Sequence, residues 1–205
     1  MRKDLAILVP DRDYEVAIPV LLRRSRALGT RPITFDISAH ADHDPGCLLK
    51  SAEFLRQYLP THRHALVLFD REGCGKEKLD PARIEELVAR DLSRCGWHER
   101  AAAVVLDPEL EVWIWVNSPE VDRCLCWSGR HPGLREWLCA NDLWPKNAPK
   151  PGDPKEALMR ALAFLRRPRS PSVYAALAAS VHFGRCTDRA FIRFREILQR
   201  WFPAS

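Results

Sequence analysis

The chain has 205 residues, of which 46% are hydrophobic and 29% charged. That balance suits a globular protein of one ordinary domain, or one domain with a helical appendage. No apolar segment reaches membrane-spanning length, and Arg2, Lys3 and Asp4 precede only the short run Leu5–Val9. A signal peptide and a membrane partner are therefore not expected, and a cytoplasmic setting is. Seven cysteines, with no CxxC pair, argue against a disulfide framework or a structural zinc site and fit reduced thiols. The net charge of +5 is unevenly placed, with eleven Lys and Arg against four acids from Lys150 onward. A basic tail on a slightly acidic body suits a phosphate-bearing partner such as nucleic acid, or simply a helical module with a solvated basic face.

In chain order, Leu5–Val9 reads as a buried strand. A helix follows towards Gly29, with Pro19 predicting a late start near Ile18 or a kink. Pro32–Ile37 is a second strand, and a polar loop with His40, Asp42, His43 and Asp44 comes after it. Asp-Pro pairs at 44–45, 80–81, 107–108 and 153–154 each suggest an N-cap acceptor before a proline that opens a helix. Leu48, Ala52, Leu55 and Leu59 give the first of these helices its spacing. Ile84, Leu87, Val88 and Leu92 give the second, which Gly96 can end. Between them His64–Phe69 is a strand, and Ala101–Leu106 is another. Strands alternating with helices predict an α/β fold with a mainly parallel sheet and flanking helices.

Residues 109–115 fit either a strand, with Glu109 and Glu111 on one face, or a helix, with only one of them entering a given site; Asp107-Pro108 favours the helix. The chain divides into a core over 1–116, an irregular Trp- and Pro-rich connector over 117–153, and a basic helical region over 154–205 packed on the core. In the connector, Trp127, Trp137 and Trp144 are expected to cover the sheet, beside a short helix near Leu134–Ala140. Three helices should follow. Ala157, Leu158, Ala161, Leu162 and Leu165 set the first, Tyr174, Leu177, Ala178 and Val181 the second, and Phe191, Phe194, Leu198 and Trp201 the third.

Acids collect where strands end: Asp11, Asp13 and Glu15 after the first, Asp70 and Glu72 after the third, Glu109 and Glu111 after the fourth. In open α/β sheets ligands bind at the carboxyl ends of strands. Carboxylates gathered there suit Mg²⁺ and the activation of water against a phosphodiester. Caps and solvated surface acids explain the same residues without a ligand.

The strings VPDRDYE, LVLFDREGCG and DPELEVW resemble, in order, the motif series of Toprim-like proteins, and more closely the Toprim-related family DUF4276. DPKEAL and FIRFREIL are similar to that family's C-terminal helical region. The resemblance implies a Toprim-like parallel sheet, an acidic Mg²⁺ site for phosphoryl transfer on nucleic acid, and a role in bacterial anti-phage defence beside other defence-system proteins. On it, Asp70 and Glu72 occupy the DxD position, Glu111 the acid of the string after the fourth strand, and Asp11 or Glu15 the acid after the first. Asp11, Asp70, Glu72 and Glu111 would bind metal, and Asp70, Glu72, Glu111 and Glu15 would serve catalysis. Two departures stand out: Pro10-Asp11 replaces the glutamate usual after the first strand, and Glu72 replaces the second aspartate. A degenerate, non-catalytic binding subunit is the alternative.

Other features carry less. Gly73-Cys74-Gly75-Lys76 lacks the spacing of a phosphate loop. Cys74 with His62 or His64 is a nucleophile candidate, but those histidines belong to the strand's far end, and a packed thiol is the simpler reading. His40, His43, Asp42 and Asp44 suit a transition metal or merely a capping loop. Phe191, Phe194 and Trp201 have core spacing. Arg185, Arg189, Arg193 and Arg200 lie near one helical face, where they are candidates for holding a nucleic-acid backbone.

Overall fold

The apolar runs are buried on both faces because each becomes a strand with helices on either side. The computed structural model describes residues 2–116, 118–180 and 186–204. Strands β1 (Lys3–Val9), β2 (Phe35–Ala39), β3 (His62–Asp70) and β4 (Ala101–Leu106) form one all-parallel sheet in the order β2-β1-β3-β4. Register pairs Ile7 with Ile37 and Leu66, and Leu68 with Val104. The second strand lies later than Pro32–Ile37 and is only half-buried, as an edge strand.

Right-handed crossovers that run in opposite directions from β1 place their helices on opposite faces of the sheet. Helix α1 (Arg12–Arg23) packs on the face made by Leu5, Ile7, Leu66, Leu68 and Val104. Helices α3 (His43–Leu49), α4 (Ser51–Leu55) and α5 (Pro81–Leu92) bring Leu48, Leu55, Ile84 and Val88 to the face made by Ala6, Leu8, Val67 and Phe69. Between α1 and β2, the short α2 (Ser25–Leu28) ends at Gly29 in the left-handed region, as a C-cap requires.

Helix α1 starts at Arg12, not near Ile18, because the Asp11 carboxylate accepts from the amides of Asp13 and Tyr14 and fixes the first turn; Pro19 lies inside it. Of the Asp-Pro pairs, Asp80 and Asp153 cap as expected. Asp44 and Asp107 do not. Asp44 sits inside α3, and Asp107 instead pairs with Arg71 at 2.9 Å. The helix expected after Asp44 is split at Lys50 into α3 and α4.

Residues Leu110–Trp113 form a single 3-10 turn, so the helical alternative holds there. The connector supplies α6 (Pro119–Cys124) and α7 (Leu134–Ala140). Its tryptophans pack as a cover: Trp127 and Trp144 are buried, and Trp137 leans on Trp127. The basic region forms α8 (Pro154–Phe164), α9 (Pro171–Ser180) and α10 (Arg189–Trp201). Its inward residues Leu158, Tyr174, Phe191 and Phe194 share one apolar cluster with the sheet residues and with Trp127 and Trp144. Val181 lies outside the described residues. Among the described residues no helix is long and apolar enough to cross a membrane.

Candidate functional site

Because β2 lies on one side of β1 and β3 on the other, the sheet's switch point falls between β1 and β3, where open α/β sheets leave a ligand crevice. Asp70 is the last residue of β3 and stands at that point. The buried Tyr14, on the first turn of α1, donates its hydroxyl hydrogen to the Asp70 carboxylate. The Asp70 backbone amide donates to Asp44 at 2.9 Å. Burial pushes the Asp70 carboxyl well above its ordinary range. The neighbouring charges of Asp44, Glu111 and Glu109 push the same way, against the Tyr14 bond. Burial raises Asp44 too, with Asp11 adding to it and the Asp70 amide opposing.

A second half of the cleft forms around Glu111 and Glu109. Glu111 is only 1% exposed and accepts from the Tyr174 hydroxyl and, at 3.3 Å, from Arg169. The same Arg169 nitrogen binds Asp13, and its Nε donates to the Tyr174 oxygen at 2.8 Å. Burial alone would lower the Arg169 pKa, but the Tyr174 bond and the charges of Asp13 and Glu111 raise it. Lys155 of α8 reaches Glu109 at 2.7 Å. Burial raises Glu109, with Lys155 opposing and Glu111 and Glu72 adding. Both glutamates therefore reach the cleft. The expectation that only one could do so fails because Glu109 is extended, ahead of the 3-10 turn, and breaks the helical phase.

The remaining candidates lie apart or serve the framework. Glu72 is exposed and has its amide on the Pro108 carbonyl at 3.1 Å. Asp11 caps α1. Glu15 turns towards β2, where it accepts from the Ala39 amide at 3.1 Å and pairs with Arg12. Among the described residues, no group of three His, Cys, Asp or Glu side chains is arranged to hold a metal ion. Asp70, Glu72, Glu111 and Asp11 thus do not form a ready-made cage.

In the 40–44 loop each side chain is already engaged. His40 accepts from the Asp42 amide at 3.0 Å and packs against Phe54, while Asp42 pairs with Lys50. His43 bonds the Pro10 carbonyl at 3.1 Å. A Cβ on Gly46 would fall 2.0 Å from His40 Nδ1, so a side chain there would push the His40 ring from its place on the Asp42 amide and Phe54. Cys74 is a buried thiol with its pKa raised by burial, the reverse of an activated nucleophile. His62 and His64 are engaged at the other end of β3, by Asp36 and Trp201.

Two arginines of α10 reach inward to one carboxylate. Arg189 and Arg193 both pair with the buried Glu85, and Arg193 also donates to the Ala103 carbonyl. At these two positions a buried carboxylate on α5 pairs with the guanidiniums, whose side chains stay partly exposed. Arg200 is exposed, and Arg185 lies outside the described residues.

Sequence reasoning grouped Asp44 with the 40–44 loop rather than with the strand-end acids, and did not place Tyr14, Tyr174, Lys155 or Arg169 at the site. Asp44 carried a signal, since it too follows a strand. The other four come together only through the packing of α1, α8 and α9.

Fold and site together define an open, parallel α/β protein with an acidic cleft at its switch point, crossed by two cations from its C-terminal helical region. No family model, no curated protein and no solved structure matches the chain.

Proposed function

We propose that the cleft is the active site of a metal-dependent phosphoryl-transfer enzyme that cleaves nucleic acid. The observation that carries this reading is Asp70 at the switch point, its carboxyl raised by burial and by the charges of Asp44, Glu111 and Glu109. A divalent cation relieves such a field. Mg²⁺ is commonly held by one or two carboxylates, with water and substrate phosphate completing its shell. Asp70 with Asp44 therefore suits it without an all-protein cage. When bound, the cation supplies charge neutralisation at the phosphodiester and a more acidic water.

The chain's own residues do the positioning. Tyr14 orients Asp70, Tyr174 and Arg169 hold Glu111, and Lys155 holds Glu109. Arg169 and Lys155 also bring positive charge to a cleft that would otherwise repel a phosphate. The motif resemblance is what supports placing this activity in bacterial anti-phage defence, in the cytoplasm, among other defence-system proteins.

A second reading, a non-catalytic nucleic-acid- or protein-binding subunit, is favoured by one observation. Arg169 and Lys155 already engage Asp13, Glu111 and Glu109, the carboxylates that a second cation would use. Cleavage of single- and double-stranded substrates under Mg²⁺ and Mn²⁺ titration separates the two. The catalytic reading expects cleavage by the wild type that chelator stops and Asp70→Ala abolishes. Equal cleavage by both proteins removes this site from the mechanism, and nucleic-acid binding without cleavage selects the second reading.

A further inference from the structure

Phe164, the last residue of α8, is 54% exposed, an unusual position for a phenylalanine. Its ring does not stand alone. It stacks on the buried Trp127 with centroids 5.3 Å apart and leans on Trp137 at 4.8 Å. Beside it opens a shallow cleft of about 290 Å³, lined by Trp137, Asn141, Leu143, Arg160, Ala163 and Phe164. That volume lies just below the usual lower limit for small-molecule pockets and suits a single planar ring.

On the cleft wall itself charge is balanced, since Arg160 pairs with Glu156 at 3.0 Å and the exposed Asp142 lies between Asn141 and Leu143. Past Phe164 the chain is basic, with Arg166, Arg167 and Arg169 and no acid before Asp188. Arg166 is exposed, has a positive φ of 55°, and has no side-chain partner among the described residues. Arg167 lies over the exposed Cys126, and the exposed Arg130 belongs to the neighbouring loop. Three residues beyond Arg166, the guanidinium of Arg169 is already inside the acidic cleft, on Asp13 and Glu111. Three residues of chain span at most about 10 Å. The segment Arg166–Arg169 therefore joins an aromatic shelf to the candidate active site by a short row of positive charge.

Stacking rings next to a basic track is the combination that holds a single strand without reading its sequence, since every base offers a π-face and every linkage a phosphate. We infer that Phe164 and Trp137 form a stacking platform for an unpaired base, with Arg166 and Arg167 on the adjoining phosphates. A single-stranded nucleic acid seated there is directed along Arg166–Arg169 towards Asp70. This deepens the proposed function and rests on it for the direction of the strand, but the platform itself is a binding site separate from the acidic cleft. A duplex keeps its bases paired and stacked, so it cannot use the platform.

The test is fluorescence anisotropy with a labelled oligothymidylate and with a duplex of equal length, at two salt concentrations, using the whole chain. Wild type is expected to prefer the single strand, with quenching of tryptophan emission on binding. Phe164→Ala should weaken binding about tenfold or more, and Phe164→Trp should retain it. Arg166→Glu with Arg167→Glu should weaken it further and flatten its salt dependence. Phe164 is exposed, so these variants are expected to fold, and circular dichroism and unfolding midpoints check that. Unchanged binding by folded Phe164→Ala, equal affinity for duplex, or no oligonucleotide binding overturns the platform. Phe164-dependent binding that persists in Asp70→Asn supports it even where no metal-dependent cleavage occurs, an outcome that defeats the catalytic reading alone.

Discussion

Arg189 of α10 donates to Glu85 of α5 at 2.7 Å, and that pair closes the outer edge of the sheet. Among the described residues β4 pairs only with β3, so its other edge has amides and carbonyls to satisfy. Glu85 is 1% exposed and accepts from the Val105 amide at 3.0 Å, while Arg193 donates to the Ala103 carbonyl at 3.2 Å. Side chains from two helices thus replace the missing strand. The C-terminal helices are held to the sheet by this clamp as well as by apolar packing.

Removing the carboxylate should be costly because it orphans a buried backbone amide and leaves both arginines without their partner. Glu85→Ala is expected to lower stability by about 2–4 kcal/mol. Arg189→Ala alone should cost less, since Arg193 still pairs with Glu85 at 2.9 Å. The double change Arg189→Ala with Arg193→Ala should exceed the sum of the singles, because only then is Glu85 left unpaired. Urea unfolding midpoints measure all of these, and additive behaviour would show that the two arginines do not share one carboxylate.

Glu111 offers a similar case inside the cleft. Its carboxylate is held by Tyr174 and Arg169; the tyrosine bond is buried and the arginine bond is partly open to water. Tyr174→Phe deletes one donor and should cost about 1–2 kcal/mol. Pairing this with Glu111→Gln should recover part of the loss, because the neutral amide needs less compensation. A double-mutant cycle by thermal unfolding reads the coupling, and zero coupling would place the tyrosine elsewhere.

Asp4 provides a pH signature far from the cleft. The hydrogen bond from Arg31 holds its carboxyl well below the ordinary range, outweighing burial, and Thr34 adds to the effect. A carboxyl depressed in the folded state stabilises the fold above its unfolded pKa of about 3.9 and loses that stabilisation as pH falls towards the folded value. Asp4→Asn should therefore lower stability at pH 7, and the gap from wild type should shrink as pH drops below about 4. A gap that stays constant from pH 7 to 3 would mean that the pairing with Arg31 is not what holds Asp4.

The sheet was legible because its strands are continuous apolar runs between helical spacings, and Ala65–Asp70 announced both the central strand and its acidic end. The three closing helices were legible from apolar residues at helical spacing within each: Leu158, Ala161 and Leu162 in the first, Tyr174, Leu177 and Ala178 in the second, and Phe191, Phe194 and Leu198 in the third. Helix starts were half legible. Asp80 and Asp153 cap, but an Asp-Pro pair has the same local appearance when its carboxylate is drawn elsewhere, as Asp44 is to the Asp70 amide. The cations were not legible. Arg169 lies in a loop with no periodicity, and only the docking of α9 on α1 brings it between Asp13 and Glu111. The partner of the α10 arginines was not legible either, because helical spacing gives a face and says nothing of the Glu85 carboxylate beneath it.

Asp70 itself joins stability to function. Its carboxyl is raised by burial and by the charges around it, so ionising it at neutral pH works against the fold. For a raised carboxyl the stability is fully present below the unfolded pKa, about 3.9, and is lost as pH rises through the folded value. Asp70→Asn removes that charge and keeps an oxygen for Tyr14, so it should raise the unfolding temperature at pH 7 and flatten its fall from pH 4 upward. The same change should abolish metal-dependent cleavage, since strain at a functional site is commonly retained for activity. Thermal unfolding across pH, run beside the cleavage assay, tests both at once. A variant that is less stable at pH 7 would make Asp70 a structural partner of Tyr14, held in place by a bond whose worth exceeds the repulsion around it.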